Sequence, residues 1–253
     1  MCRSRSRASD SSQSPGSGLK KRSVGRIGRW LAKGLLAAIL LSMISVLALR
    51  FLAPPTTAFM LRHWVIALTE GRDGPPLRYD WVDYERISRD AALAVVAAED
   101  QLFPSHSGFD FKALSRALDH NRKGRALHGA STITQQVAKN LFLWPGRSYL
   151  RKAMEAYFTV LIEALWTKRR ILEVYLNVVE LGDGVFGIDA ASRTYFRKPA
   201  AALRREEAAL LAAVLPNPTG LSVRRPSRFV RAHQGWILKQ MRRLGGTAYV
   251  AHL

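Results

Sequence analysis

The chain has 253 residues, 48% of them hydrophobic, which allows one domain of about 200 residues with a sizeable core plus an extension. Its formal net charge of +20 indicates an anionic partner, such as nucleic acid, acidic lipid headgroups or a phosphorylated substrate, without choosing among them. The single cysteine, Cys2, excludes a disulfide framework or a cysteine-based metal site within one chain. The six histidines show no close metal-ligand pairing, so the sequence predicts no metal site.

The N-terminal residues 1–30 are rich in serine, arginine and glycine and contain few apolar residues. Residues 1–33 hold nine Lys and Arg side chains against one acidic residue, which leaves +12 of the net charge to the rest of the chain. This composition predicts a disordered basic tail.

A transmembrane helix is predicted for residues 31–53. Its centre is a run of sixteen uncharged residues, Gly34 to Leu49, which would span roughly 24 Å as a helix. Lys33 and Arg50 can extend their charged ends toward the two surfaces and lengthen the usable span. A cleaved signal peptide is the alternative, but its apolar region is normally shorter and ends in a small-residue cleavage site.

An uncleaved anchor determines which side of the membrane each part occupies. By the positive-inside rule the basic tail is expected to stay in the cytoplasm, and the main domain is expected to lie outside the inner membrane. This placement argues against nucleic acid as the partner of the +12 charge.

The rest of the chain is expected to be mainly α-helical, with residues 54–80 as a linker or membrane-proximal segment and 81–245 as the domain. Breaks are predicted at Pro54–Pro55 and at 71–76, and a flexible connection through Gly182, Gly184 and Gly187. No sustained strand alternation is present. Apolar periodicity and capping residues predict helices at Ile87–Ala98, Phe111–Asn121, Thr132–Leu143, Ser148–Trp166, Lys168–Val178, Leu203–Val214 and Ser227–Leu244.

The first chemically informative segment is Glu99–Asp100, at the end of a very apolar helix. Burial and a helix C-terminus both disfavour a carboxylate, so the pKa of Glu99 should be raised, as suits a general base or acid. Phe103 and Phe109 would help to exclude water, and Asp110 is a candidate cap for the next helix. The alternative is a solvated acidic pair at a frayed helix end.

The second is Gly129 to Phe142, G-A-S-T-I-T-Q-Q-V-A-K-N-L-F. At about 100° per residue, Thr132, Gln136 and Lys139 share one helix face, with Gln135 beside them. Thr132 and Gln135 fit a capping box, and a helix start favours anions. Neutral donors and one cation suit a site for a sugar and a phosphate, although a capped amphipathic helix with a solvated face remains an alternative.

The third is Arg147 to Glu155, R-S-Y-L-R-K-A-M-E. Arg151 and Glu155 are helical neighbours, and Lys152 adjoins them. The residues are consistent with an ordinary surface ion pair, or with a cationic cradle for a pyrophosphate that has one carboxylate embedded in it.

Five motifs in order resemble those of the peptidoglycan glycosyltransferases, glycosyltransferase family 51, and in particular the monofunctional members of Gram-negative bacteria with one N-terminal anchor. They cover residues ~80–220: E-D-x-x-F-x-x-H-x-G-x-D (99–110), G-x-S-T-I-T-Q-Q-x-x-K-N-L-F (129–142), R-K-x-x-E (151–155), Y-L-N (175–177) and R-E-E-A-A-L-L-A-A-V-L-P-N-P (205–218).

The resemblance implies a mainly α, lysozyme-like, two-lobed domain with a smaller membrane-associated lobe. It implies polymerisation of lipid II into β-1,4-linked glycan strands, with inversion and release of undecaprenyl pyrophosphate. Glu99 would be the catalytic base and Glu155 the second essential glutamate, of less defined role. The expected substrate-binding residues, or residues that shape the site, are Asp100, Phe103, Ser131, Thr132, Gln135, Gln136, Lys139, Asn140, Arg147, Arg151 and Lys152.

The resemblance also sets expectations about cofactors and partners. No cofactor is expected as a firm requirement, with a divalent cation, Mg or Mn, at the pyrophosphate as an open alternative. Expected partners are lipid II, the growing glycan strand and inner-membrane lipids, with cell-wall synthesis or division proteins as further candidates and no nucleic acid. Only 35 residues, 219–253, follow Pro218, and the sole S-x-x-K sequence lies at Ser17–Lys20, so no transpeptidase activity and no β-lactam sensitivity are expected.

Two other functions compete with this reading. A lysozyme-like hydrolase would also use an apolar-flanked glutamate, but cleavage of a neutral glycan does not need a cationic cluster. A membrane-anchored scaffold with a lipid-binding basic face would leave Glu99, Gln136 and Lys139 unexplained.

Overall fold

A long N-terminal helix opens the computed structural model, which describes residues 18–69, 76–122, 131–146 and 148–253. Helix α1 covers Gly18–Leu49. Within the described residues it is the one helix long and apolar enough to cross a membrane, over Gly28–Leu49 with a mean hydropathy of 2.2. The predicted disordered tail is therefore corrected for residues 18–30, because no proline stops the apolar helix from extending backward. Residues 1–17 lie outside the described part.

The end of α1 comes four residues before the predicted boundary at residue 53. Residues 50–52 form a turn, and Pro54 follows, which disfavours helix in the residue before it. Side chains of the domain satisfy carbonyls at this end. Trp166 Nε1 donates to the Val46 carbonyl (2.8 Å), and the Arg170 guanidinium donates to the carbonyls of Leu49 (2.8 Å) and Leu52 (2.6 Å).

The chain divides into two compact units, one ending at Ser45 and one covering Val46–Leu253. The second unit is mainly helical, as predicted. Its helices are α2 (Ala58–Thr69), α3 (Arg89–Glu99), α4 (Phe111–Arg122), α5 (Ile133–Phe142), α6 (Tyr149–Leu165), α7 (Lys168–Val178), α8 (Ile188–Phe196), α9 (Arg205–Ala212) and α10 (Arg228–Arg243), with short 3-10 helices at Tyr84–Arg86, Ala200–Ala202 and Gly246–Val250. The predictions did not include α2 or α8.

A small sheet joins the start of the domain to its middle. Strand β1 (Arg78–Tyr79) pairs in parallel with β3 (Val185–Phe186), which pairs antiparallel with β2 (Glu180–Gly182). The predicted flexible connection is therefore an ordered β-hairpin. Its glycines provide backbone geometry: Gly187 has φ +85°, and a Cβ there would lie 2.4 Å from the Asn177 carbonyl oxygen.

The core of the domain is centred on α3 and α7. Seven consecutive residues of α3, Ala91–Ala97, are buried. Helix α3 packs against α9 and α10, and α5 packs against α6 and α7. In α7, Asn177 is fully buried, and its side chain donates to the Val82 carbonyl and accepts from the Val82 N–H, both at 2.8 Å. These contacts fix the end of α3, the start of α5 and the first turns of α6.

Candidate active site

Glu99 is the last residue of α3, and its carboxylate receives a hydrogen bond from Gln136 on α5. The distance from Gln136 Nε2 to Glu99 Oε2 is 2.7 Å. Burial raises the pKa of Glu99, while the Gln136 hydrogen bond and the positive charges of His233 and Lys139 partly oppose this rise. The predicted direction of the pKa shift is confirmed. A raised pKa makes the Glu99 carboxylate a stronger base, which is the property that a general base uses.

Tyr175 on α7 fixes the orientation of the Gln136 amide. Its hydroxyl donates to Gln136 Oε1 at 3.1 Å. Burial raises the pKa of Tyr175 well above its ordinary value, so the phenol stays protonated and remains a donor. Because Oε1 accepts from Tyr175, the amide nitrogen must point at Glu99. The motif Y-L-N contained Tyr175, but the residue was not among the predicted site residues.

Asp100 joins the end of α3 to the start of α5. Its buried carboxylate accepts from the Ile133 N–H at 3.0 Å and contacts His106 Nε2 at 2.8 Å. The Gly108 N–H donates to His106 Nδ1 at 3.1 Å, so Nδ1 is the acceptor and Nε2 carries the proton toward Asp100. Asp100 thus positions its neighbours, as expected, through a histidine that sequence reasoning had not singled out.

The predicted capping box at the start of α5 is present. Gln135 N–H donates to Thr132 Oγ1 (3.3 Å), and Gln135 Oε1 accepts from the Thr132 N–H (3.0 Å). Thr132 Oγ1 also donates to the Gly108 carbonyl at 2.7 Å. Five residues predicted to bind substrate or shape the site are buried, which favours the shaping role: Asp100, Phe103, Thr132, Gln135 and Asn140.

Lys139 lies between the two glutamates. Burial lowers its pKa, the negative charges of Glu155 and Glu99 raise it, and the positive charges of Arg151 and Lys152 lower it. Its ammonium group is also 5.4 Å from the ring centroid of Phe59 on α2. The lysine therefore connects the Glu99 carboxylate electrostatically with the residues of α6.

The first turns of α6 form a cationic cluster around one buried carboxylate. Ser148 caps the helix by accepting from the Arg151 N–H at 3.1 Å. Arg151 donates to Glu155 at 2.7 Å, and Lys152 forms an ion pair with the other carboxylate oxygen. The side chain of Glu155 is only 3% exposed. This buried arrangement contradicts the alternative of an ordinary surface ion pair.

Two further observations concern the donors in this cluster. Buried Arg151 Nε has no hydrogen-bond partner among the described residues, although buried donors normally have one. The Lys152 ammonium lies 3.4 Å from Ser131 Oγ, so the exposed Ser131 borders the cluster.

Arg147 lies outside the described residues, and its predicted role remains a prediction. Among the residues with described positions, no group of three or more His, Cys, Asp or Glu side chains could hold a metal ion.

The mainly helical domain, with a buried carboxylate beside a cationic cluster, has the architecture and side chains of a glycosyltransferase. The family model described as transglycosylase matches residues 70–242, and the chain belongs to this family of glycosyltransferases, with its lysozyme-like domain. The resemblance drawn from the five motifs is confirmed. The hydrolase and scaffold alternatives are set aside.

Curated relatives cover most of the chain. A biosynthetic peptidoglycan transglycosylase of Xanthomonas axonopodis pv. citri is 51% identical over 229 residues, which are 89% of this chain and 93% of the relative. Proteins of the same name from Shewanella oneidensis and Aeromonas hydrophila subsp. hydrophila are 50% and 52% identical, over 88% and 85% of this chain and 95% and 90% of their own.

Proposed function

We propose that this glycosyltransferase synthesises peptidoglycan by polymerising lipid II into β-1,4-linked glycan strands, with release of undecaprenyl pyrophosphate. The observation that carries the proposal is the position of Lys139, which interacts with both Glu99 and the Arg151–Glu155–Lys152 cluster. We infer that the base and the pyrophosphate-binding cluster act on two sides of one reaction centre. The name shared by the curated relatives supports the same polymer.

In the proposed reaction Glu99 accepts the proton of the acceptor sugar's 4-hydroxyl. The resulting oxygen nucleophile attacks the anomeric carbon of the donor from the face opposite the pyrophosphate, so the new C–O bond forms with inversion. The bond from the anomeric carbon to the pyrophosphate oxygen breaks, and its electron pair leaves with the pyrophosphate. Glu99 then returns its proton to solvent.

Cations stabilise the negative charge that develops on the leaving pyrophosphate. Lys139, Arg151 and Lys152 are proposed to supply these cations, because all three interact with Glu155. Glu155 orients Arg151 and Lys152 through its two oxygens. We infer that this is its role. The exposed Ser131, at the border of the cluster, is proposed to contact the substrate, and a substrate contact by Arg147 stays a prediction.

The donor set at the pyrophosphate position fits a divalent cation poorly. Magnesium and manganese prefer carboxylates that are free to coordinate, whereas both Glu155 oxygens already accept from cationic side chains. Lys139, Arg151 and Lys152 supply the positive charge there. In the proposed reaction, these three side chains therefore take the place of a divalent ion.

We also propose that the chain is anchored in the bacterial inner membrane by α1, with the N-terminus in the cytoplasm and the domain in the periplasm. The apolar stretch Gly28–Leu49 and the basic residues before it support this orientation. The proposed partners are the lipid substrate, the growing strand and inner-membrane lipids. Association with division or wall-synthesis proteins and the absence of transpeptidase activity remain predictions.

Replacing the proposed base tests the mechanism. Glu99→Gln keeps an acceptor oxygen for Gln136 but cannot take a proton, so polymerisation of labelled lipid II in detergent should fall by about 10²–10⁴-fold. The exposed Glu206→Gln on α9 is the matched control and should retain activity. Near-normal polymerisation by Glu99→Gln would reject the assignment.

Removing the proposed pyrophosphate ligands tests the cationic cluster. Lys139→Ala and Arg151→Ala should each lower the turnover number by roughly 10²-fold, because each removes a charge that acts on the leaving group. Both variants should keep the wild-type circular dichroism spectrum, and the exposed Arg86→Ala should retain activity. Full activity in both cluster variants would show that pyrophosphate is bound elsewhere.

A further inference from the structure

The C-terminal part of the chain carries an unusual charge that the five motifs do not include. The last motif ends at Pro218, and residues 208–253 contain seven Arg and Lys residues and no Asp or Glu. Five of the seven cations are exposed on α10: Arg228, Arg231, Lys239, Arg242 and Arg243.

Helix α10 presents three distinct faces. At about 100° per residue, the buried residues Val230, Ile237 and Met241 share one face, and the exposed cations lie on the opposite one. Between them, on one flank, are three aromatic rings: Phe229, His233 and Trp236. None of these three rings was among the predicted site residues.

The three rings form a continuous row. The His233 ring centroid is 5.9 Å from that of Phe229 and 5.7 Å from that of Trp236, with interplanar angles of 41° and 32°. His233 Nδ1 lies 3.2 Å from the Ala213 carbonyl oxygen, a contact that fixes the central ring. Phe229 is 60% and Trp236 44% exposed, so both present ring surface to solvent.

The row lies next to the proposed base. Helix α10 packs against α3, whose last residue is Glu99, and His233 is one of the groups that act electrostatically on the Glu99 carboxylate. The 3-10 helix after α10 is fastened to the same turn, because the Tyr249 hydroxyl donates to the Gln101 carbonyl at 2.7 Å. The C-terminal segment therefore forms one wall beside Glu99.

We propose that Phe229, His233 and Trp236 form a saccharide-stacking surface beside Glu99, and that the exposed cations of α10 bind carboxylates of the peptides carried by the glycan. The negative face of an aromatic ring attracts the slightly positive C–H face of a pyranose. An imidazole between two apolar rings offers a hydrogen bond to hydroxyls. The inference rests on the proposed function, because it identifies the ligand as peptidoglycan.

The composition of the surface favours a glycan over the acyl chains of a membrane. Both large apolar side chains exposed on α10 are aromatic. By contrast, α2 exposes Leu61, Val65 and Leu68 beside Trp64, the aliphatic surface that suits acyl chains. A row of rings bordered by cations matches a ligand that alternates sugar faces with anionic peptides.

The stacking part is tested by binding. The full chain, in nanodiscs of a neutral lipid, is titrated calorimetrically with chitotetraose and with a soluble, uncross-linked peptidoglycan fragment of two disaccharide-peptide units. Trp236→Ala should weaken the binding of both ligands by about tenfold, and Phe229→Ala by a smaller factor. Trp64→Ala, which removes an exposed tryptophan on α2, should change neither.

The role of the exposed cations is tested by comparing the two ligands, because only the peptidoglycan fragment carries peptide carboxylates. The double variant Arg228→Gln and Lys239→Gln should weaken binding of the peptide-bearing fragment and its dependence on salt, and should leave chitotetraose binding unchanged. Equal binding by Trp236→Ala and wild type, with unchanged circular dichroism, would overturn the proposal. Loss of fragment binding in nanodiscs of anionic lipid would also overturn it, because α10 would then be bound to headgroups.

These measurements separate the inference from the proposed function. Fragment binding that depends on Trp236, in a protein unable to polymerise lipid II, would support the surface and reject the reaction. Conversely, polymerisation of lipid II by a protein in which Trp236→Ala changes neither fragment binding nor the KM for the acceptor would support the reaction and reject the stacking surface.

Discussion

Glu99 shows how one residue can carry a cost in stability together with a catalytic property. Its carboxylate is buried at the end of an apolar helix, and the pKa is raised by that burial. A single neutral hydrogen bond from Gln136 compensates in part. Such a carboxylate takes up a proton easily, which suits a base, but the anion is held in unfavourable surroundings at neutral pH.

Substitution of Glu99 should therefore stabilise the protein. Because the pKa in the folded state is above that in the unfolded state, Glu99 favours folding at low pH, and this contribution is lost as the pH rises through the folded-state pKa. Glu99→Gln should raise the midpoint of thermal unfolding at neutral pH by a few degrees, on the order of 1 kcal/mol. The measurement is a pair of thermal scans in detergent at pH 7 and at acidic pH. A lower midpoint at pH 7 would contradict the expectation.

At the level of elements, α5 is the part that joins the base to the cationic cluster. Asp100 holds its first residue, and the capping box fixes its start. One turn later Gln136 reaches Glu99, and the next turn brings Lys139 toward the cluster on α6. Tyr175 on α7 supports this arrangement from behind, without a proposed contact to the substrate.

Loss of the Tyr175 hydroxyl should change the pH dependence of the enzyme. Without this donor the Gln136 amide is no longer fixed toward Glu99, and the hydrogen bond that lowers the pKa of Glu99 weakens. The active base is the unprotonated form, so the acidic limb of the rate–pH profile of Tyr175→Phe should move to higher pH. Polymerisation rates of lipid II over a range of pH measure this effect. An unchanged acidic limb with lower activity would indicate a purely structural role.

At the scale of the whole molecule, a membrane anchor suits the proposed site, because a lipid substrate would be located in the same membrane. In the proposed topology, the apolar helix would keep the domain at the membrane surface, where a polyprenyl pyrophosphate substrate would be located. The domain contacts the end of α1 through Trp166 and Arg170. In the same proposed topology, the basic N-terminal residues would lie in the cytoplasm.

The orientation can be measured with reporter fusions at the C-terminus. Alkaline phosphatase, which needs the periplasm to fold, should be active there, and green fluorescent protein exported by the same route should not fluoresce. Truncation of the chain after residue 30 should reverse both results, because the apolar helix is then missing. Phosphatase that is inactive on the full chain would contradict the proposed topology.

The sequence by itself determined the elements with strong local signals. Lys168–Val178 was predicted with the bounds of α7, and the capping residues Thr132 and Ser148 marked the starts of α5 and α6, because a cap depends on residues three positions apart. Helix α8 was not predicted because glycines precede it. The same glycines were interpreted as a flexible connection, where the chain forms a β-hairpin. The apolar helix α2 lies in the segment predicted to be a linker or membrane-proximal, between two breaks, and its helix was not predicted.

The sequence predicted one part of the site, and the tertiary structure supplied the other. Residue types and motif order identified Glu99, Lys139, Arg151 and Glu155, because the chemistry restricts which side chains can act. Only the tertiary structure decided that Tyr175 orients Gln136, that His106 supports Asp100, and that α10 borders the base. These contacts join residues brought together by packing. No local periodicity or capping pattern records which helices meet, so burial and partner geometry had to come from the folded chain.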